Sequence, residues 1–299
     1  MSIVSKRRCA VIMPVGPGGA ASALDTLESV ERYCPEPHSV IIVDDYTQDG
    51  TYEEMLERVR QNWRILRNTR RLGVLRLSQA LSMAYRYALD ETECELVLRL
   101  DQDSLLIGEG VLTEALSYAQ DNPSIGLFGV YTHDYDRPRT FKTHAKQMNR
   151  EMGRMRRLLG LRPSWGKLLR LAEQQGYQRG DNVFGGAYFV TRQCLEGMRK
   201  LGALGIPYRW HSQLMEDVYY SMAAVAAGFK LGHFAAPEGP LCLEWRGLPY
   251  PADELLRTGF KVVHSVDKGK NTDRAANGSK TAREVFRDAR MFPNKGNVE

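Results

Sequence analysis

The sequence predicts an α/β protein with a mainly parallel central sheet and flanking helices. Two observations carry that reading. Short apolar runs alternate with segments of helical spacing as far as residue 131, the pattern of a parallel sheet covered by helices. Polar clusters also follow the C-terminal ends of three runs, at residues 16–19, 44–45 and 101–103. Open sheets of this class bind ligands along that edge, so clusters far apart in the chain become candidate neighbours in space.

Residues 9–15 (CAVIMPV) form the first predicted strand, ended by Pro14 and a glycine cluster. Residues 21–33 carry Leu24, Leu27, Val30 and Tyr33 at helical spacing. Residues 39–43 (SVIIV) predict a second buried strand, 51–61 an amphipathic helix, 63–66 a short strand and 75–89 a helix. A strand over 95–100 follows, then a helix over 111–119 and a strand over 125–131. Beyond it, 148–159 and 165–174 carry helical apolar stripes, and 183–191 read as strand-like after a glycine pair. Residues 215–227 predict a helix and 241–245 a strand. Residues 271–299 are polar, with one helix near 282–290 in a loose tail.

A chain of 299 residues suffices for one large domain or two small ones. No apolar run approaches the roughly 18–20 residues that span a bilayer. The opening MSIVSKRRCAVIMPVG has a short apolar part and no small-residue cleavage site, so it reads as a core strand rather than a signal peptide. Cys9, Cys34, Cys94, Cys194 and Cys242 are scattered, odd in number and without CxxC spacing. They predict reduced thiols in a cytoplasmic protein and speak against a zinc site or a disulfide framework. The net charge of +5 is uneven, because residues 137–180 hold about a dozen Arg and Lys against Glu151 and Glu173. That segment suits phosphates, a membrane surface or nucleic acid, or is simply a solvated basic helix.

The chemistry concentrates at LVLRLDQDSLL, residues 96–106. Side chains alternate faces along a strand, so Arg99, Asp101 and Asp103 share one face. Unpaired buried charge is costly, and three charged groups at a strand end point to a ligand. Two carboxylates there can hold a hard divalent cation, which can in turn bind a diphosphate. The competing reading makes Asp103 or Ser104 the N-cap of a following helix. The GPGG loop at 16–19 lacks both GxGxxG and GK[ST], so a dinucleotide site and a P-loop fit poorly.

VDDYTQDGT at 43–51 resembles the VDDGSTDGT element of family 2 glycosyltransferases, which have the GT-A fold. Further segments resemble the family's motifs in the family's order: Pro14 at the first strand end, NTRRLGV at 68–74, DQD at 101–103, FGGAYFVTR at 184–192, MEDVYYSMAAVAAGFKLG at 215–232 and KVVHSVDK at 261–268. The resemblance covers about residues 8–270. Three positions depart from the pattern: Val15-Gly16 replaces the usual Tyr-Asn, Tyr46 stands where glycine is usual, and Gln79 where asparagine is frequent.

The resemblance implies a GT-A-like sheet with an acceptor-side subdomain, and inverting transfer of a sugar from a nucleotide-diphosphate donor, a UDP-sugar favoured, to an acceptor hydroxyl. It assigns donor binding to Pro14, Val15, Gly16, Asp44, Asp45, Gln79, Arg99, Asp101 and Gln102, with Asp45 on the base. It assigns Mn²⁺ or Mg²⁺ to Asp103 and His264, with Asp101 sharing the ion. Asp217 becomes the catalytic base, with Glu216 beside it; the alternative for this pair is a charge at a helix N-terminus. Gly185, Gly186, Trp210, His211 and Lys268 are expected on the acceptor or the diphosphate, with Lys261 assisting. The chain then divides into a nucleotide-sugar-binding half (1–131), a basic helical insertion or lid (132–180), an acceptor and catalytic-base half (181–270) and a polar tail (271–299). Trp165, with Arg162 and Lys167, is expected to face an anionic or lipid-linked acceptor, and 137–180 to allow peripheral membrane contact by a cytoplasmic protein. Two other classes stay open: a nucleotidyltransferase making a nucleotide sugar, disfavoured because GPGGAAS lacks basic residues, and a non-enzymatic module binding an anionic surface or nucleic acid, which leaves the carboxylates unexplained.

Overall fold

The computed structural model describes residues 8–135, 137–161, 163–205, 212–268 and 280–292. The donor-side part runs β1 (Cys9–Val15), α1 (Ala20–Tyr33), β2 (His38–Asp44), α2 (Thr51–Glu57), β3 (Trp63–Arg67), α3 (Leu77–Glu91), β4 (Leu96–Leu100), β5 (Leu105–Leu106), α4 (Val111–Asp121) and β6 (Ile125–Gly129). A ribbon of β7 (His133–Asp134) and β8 (Arg137–Pro138) leads into α5 (Lys142–Met152), α6 (Arg154–Leu158) and α7 (Gly166–Gln174). Then come β9 (Ala187–Thr191), α8 (Arg192–Lys200), α9 (Glu216–Ala226), β10 (Lys230–His233), β11 (Leu241–Leu243), α10 (Ala252–Leu255), β12 (Val262–His264) and α11 (Ala282–Met291).

Seven strands make the main sheet, in the order β10-β6-β9-β4-β1-β2-β3. Neighbours run parallel except for β9, which lies antiparallel between β6 and β4. Both faces are covered, which is why the strands read as continuous apolar runs. Ala10 and Ile12 pack with Ile41, Val43 and Val97 under α3, α7, α8 and α9. Val11 and Met13 point the other way, to Val40, Ile42 and Leu98 under α1 and α4. A second sheet, β11-β12-β5, pairs β12 parallel to β11 and antiparallel to β5. Leu105, Cys242 and Val263 from it meet Leu255 of α10 and Phe286 of α11.

Several elements differ from the sequence reading. The helix expected over 51–61 ends at Glu57. The single helix expected over 148–159 is two, because Gly153 turns extended (φ −59°, ψ 153°) after α5. Helix α8, capped by the Thr191 hydroxyl accepting from the Cys194 amide, was not expected. The segment after DQDS is strand β5, with α4 starting only at Val111, so neither Asp103 nor Ser104 caps a helix. Helix α11 starts with a Thr281–Glu284 capping box and is tied to α1 by ion pairs of Arg283, Arg287 and Arg290 to Asp25, so this stretch of the polar tail is docked rather than loose. All five cysteines are free and buried. Among the described residues, no helix is long and apolar enough to cross a membrane.

Candidate active site

Strand pairing explains how His264 reaches the DQD segment across more than 160 residues. Antiparallel pairing sets Val262 opposite Leu106 and Val263 opposite Leu105, so the next residue, His264, arrives beside the loop carrying Asp103. The Val266 amide donates to Asp103 O at 2.9 Å and fixes that register. Asp101, Asp103 and His264 then offer one ligand atom each, all within 4.8 Å of one another. His264 Nε2 lies 3.3 Å from Asp103 Oδ1 and 3.8 Å from Asp101 Oδ2.

The tautomer follows from a carbonyl. His264 Nδ1 sits 2.7 Å from Glu244 O, which can only accept, so Nδ1 carries the proton and Nε2 presents its lone pair to the carboxylates. Ser265 Oγ donates to Asp103 Oδ2 at 2.6 Å. Burial works against charge on Asp103, but the ring of His264 in its protonated form, with the Ser265 hydroxyl, outweighs it and holds the carboxyl well below its usual range; in the neutral form Nε2 is free to ligate. Two hard oxygen donors and one imidazole nitrogen, held in place by the Glu244 carbonyl and the Ser265 hydroxyl, are a donor set that fits Mg²⁺ or Mn²⁺.

Arg99 joins this triad to the pair on α9. Its buried guanidinium Nη2 lies 2.7 Å from Asp101 Oδ1 and 3.2 Å from Glu216 Oε1. Arg99 therefore points to the carboxylates of Asp101 and Glu216. Its Nε and Nη1 are buried without a hydrogen-bond partner. Burial pushes the Glu216 carboxyl upward against the pull of Arg99. Asp217, next along the first turn of α9, is less enclosed; Asn182 Nδ2 donates to its Oδ2 and the Val218 amide to its Oδ1, both at 2.7 Å.

Gly185 and Gly186 separate the two groups. The β4–β9 register puts Ala187 opposite Leu100, so Gly186 falls beside Asp101 and its carbonyl accepts from the Asp101 amide at 2.9 Å. A Cβ at Gly186 would stand 2.7 Å from the His264 ring, and one at Gly185 would stand 2.8 Å from Glu216 Oε1. The glycines are spacers that let ring and carboxylate approach the backbone.

Along the same edge, Val15 and Asp44 end paired strands, and the Asp45 amide donates to Val15 O at 3.0 Å. Asp44 is buried; it closes the turn through Thr47 and pairs with Arg67 Nε at 3.1 Å. Asp45 holds the 68–73 loop, accepting from Asn68 Nδ2 (2.9 Å) and from the Leu72 and Gly73 amides (2.8 Å each). That uses three of about four acceptor positions of a carboxylate. Tyr46 has φ 55°, the left-handed conformation for which glycine is the easy residue. Gln102 lies on the turn after Pro14, its Oε1 3.4 Å from the Gly16 amide. The Gly18 amide is taken by Asp49 Oδ2 (2.6 Å) and Thr51 Oγ1 (3.2 Å), so this loop presents no open phosphate cradle there. Gln79 Nε2 is buried without a partner. Lys268 is exposed, and its charge also reaches Asp103.

Trp165 is fully buried and its Nε1 donates to Ser212 Oγ at 2.8 Å, so it is core and faces no acceptor. Lys261 pairs with Glu114 of α4. Trp210, His211 and Arg162 lie outside the described residues. Sequence reasoning missed Asn182, Ser265 and the Glu244 carbonyl. Asn182 stands just before the FGG segment; the other two act through contacts that no local pattern marks.

The family model described as glycosyl transferase family 2 matches residues 11–189. Among solved structures, the mannosyltransferase PcManGT from Pyrobaculum calidifontis, in complex with GDP-Man and Mn²⁺, is 16% identical with a TM-score of 0.47, over 78% of this chain and 56% of that one. TarS of S. aureus is 16% identical with a TM-score of 0.44, over 77% of this chain and 35% of that one. The chain thus spans about half of the first and about a third of the second. No curated protein matches the sequence.

Proposed function

The chain belongs to glycosyl transferase family 2, and from that premise we propose that it moves a sugar from a UDP-sugar to an acceptor hydroxyl, with inversion at the anomeric carbon. One observation carries the proposal: Asp101, Asp103 and His264 converge at the sheet edge, linked through Arg99 to the Glu216–Asp217 turn. Those three side chains would hold the cation, Mn²⁺ or Mg²⁺, which supplies positive charge against the departing diphosphate. Asp217 accepts the proton of the acceptor hydroxyl, whose oxygen forms the new bond to the anomeric carbon. The old bond breaks with its electron pair going to the nucleoside diphosphate. Asn182 orients the base through its 2.7 Å hydrogen bond. Arg99 offsets Glu216, so the turn does not carry two uncompensated carboxylates. The fourth acceptor position of Asp45 suits the imide N–H of uracil, and Lys268 suits the diphosphate.

On the acceptor side, Met155, Leu158 and Leu159 are exposed beside Arg154, and Lys142, Lys146 and Arg150 recur four residues apart on α5. This surface supports peripheral contact of a cytoplasmic enzyme with an anionic membrane bearing a lipid-linked acceptor. Sedimentation with phosphatidylglycerol vesicles tests it; equal recovery of wild type and Leu158→Ser contradicts it. The donor is tested by thermal stabilisation and slow hydrolysis across nucleotide sugars, with and without Mn²⁺. The expected result is a shift with UDP-sugars that needs the metal; a metal-independent shift, or preference for another base, contradicts the proposal.

A further inference from the structure

Arg283 stands apart from the other arginines of α11. A guanidinium has five N–H donors, and all five of Arg283 have acceptors. Nε and Nη2 form a fork onto Asp267, at 2.8 and 2.9 Å. Nη1 donates to Asp25 Oδ2 at 2.6 Å and to Ser22 O at 3.3 Å. The remaining Nη2 hydrogen reaches Gln102 O at 3.3 Å.

Two of these acceptors lie on the segments that carry the triad. Gln102 is the residue between Asp101 and Asp103, and Asp267 follows His264 by three residues. The two segments are also joined directly, by the Val266 amide to Asp103 O and by Ser265 Oγ to Asp103 Oδ2, and each is held to α1. Thr26 Oγ1 lies 2.8 Å from Gln102 O, and Ser22 Oγ donates to Asp267 Oδ2 at 2.9 Å. Arg287 and Arg290 reach Asp25, a residue of α1, and among the described residues neither shows a hydrogen bond to a ligand-bearing segment. Docking of α11 onto α1 is therefore shared by three arginines, whereas Arg283 also reaches both the DQD loop and the 265–268 segment and so reinforces the direct bonds of Val266 and Ser265 to Asp103.

We propose that Arg283 is a positioning residue for the metal site, clamping the loop of Asp101 and Asp103 to the segment of His264. The proposal rests on the reading of the triad as a cation site. Positioning groups of this kind are worth roughly 10- to 100-fold in metal affinity. A lysine keeps the charge but has no fork, so it cannot hold Asp267, Asp25 and Gln102 O together.

The test uses the full chain and Mn²⁺ alone, with free Mn²⁺ read by electron paramagnetic resonance. Arg283→Ala and Arg283→Lys are expected to weaken Mn²⁺ binding by about 10-fold or more. Arg287→Ala, which loosens the same helix, is expected to keep wild-type affinity while its melting temperature falls. Asp267→Asn removes the fork acceptor without touching α11 and is expected to weaken binding in the same direction; it serves if Arg283→Ala does not fold. Wild-type affinity in Arg283→Lys and Asp267→Asn overturns the clamp while leaving the metal site intact. Equal weakening by Arg287→Ala also overturns it, because docking alone would then account for the loss. Absence of Mn²⁺ binding by the wild type overturns the metal reading and the clamp together.

Discussion

At Asp25 one buried carboxylate meets three guanidiniums, from Arg283, Arg287 and Arg290. At the sheet edge two carboxylates, Asp101 and Asp103, share one imidazole, and Asp101 alone of the two meets one end of Arg99, which Glu216 also claims. In the first cluster the carboxylate is more than answered, and the ion pairs tie a helix down. The second is left with excess negative charge and an imidazole lone pair facing it. Keeping like charges together without compensation costs stability, so the open cluster marks the place where a cation belongs. Carboxylates in one chain thus divide by how fully their neighbours answer them, not by how buried they are.

The comparison is broken hardest at Arg99, the buried cation of the open cluster. Arg99→Met leaves Glu216 and Asp101 without it and is expected to cost about 3–5 kcal/mol in denaturant unfolding. A loss below ~1 kcal/mol would mean that the carboxylates are already answered by other groups. Next in size is Asp217→Asn. It keeps the shape of the side chain and an oxygen for the Val218 amide but cannot take a proton, so transfer should fall at least about 10²-fold while donor affinity and melting temperature hold. A small stability loss with unchanged rate would reduce Asp217 to a helix-terminus charge. The Asp25 cluster should answer to acid instead. Burial opposes the Asp25 charge, but its arginines prevail and hold the carboxyl below its ordinary 3.8. That stabilisation is complete above the unfolded value and is lost as pH falls through the lower folded one. Unfolding free energies taken from pH 6 down to 2 should show this loss in the wild type and less of it in Asp25→Asn; parallel profiles would remove Asp25 from the account.

How much of this was legible depends on range. Continuous apolar strands such as 9–15 and 39–43 announce a sheet buried on both faces, and DQD stands out because it interrupts one. His264 carries no local signal. It came only from the resemblance, since the pairing that delivers it joins strands of two and three residues, too short for periodicity. The Arg99–Glu216 pair spans 117 positions and the Asp25 cluster about 260, distances over which sequence spacing carries no contact information. Asp25 looks like any polar residue in an amphipathic helix. Trp165 among basic residues looks like a platform, yet its indole N–H finds Ser212 and the ring goes inside.

The claim at the centre is that the open cluster binds a cation that in turn holds a nucleoside diphosphate. Calorimetric titration of UDP into the wild type and Asp103→Ala, each with Mn²⁺ and with chelator, tests it most directly. The wild type should bind UDP much more tightly with Mn²⁺, and Asp103→Ala should bind equally weakly in both conditions. Undiminished Mn²⁺-dependent binding in Asp103→Ala would contradict the assignment.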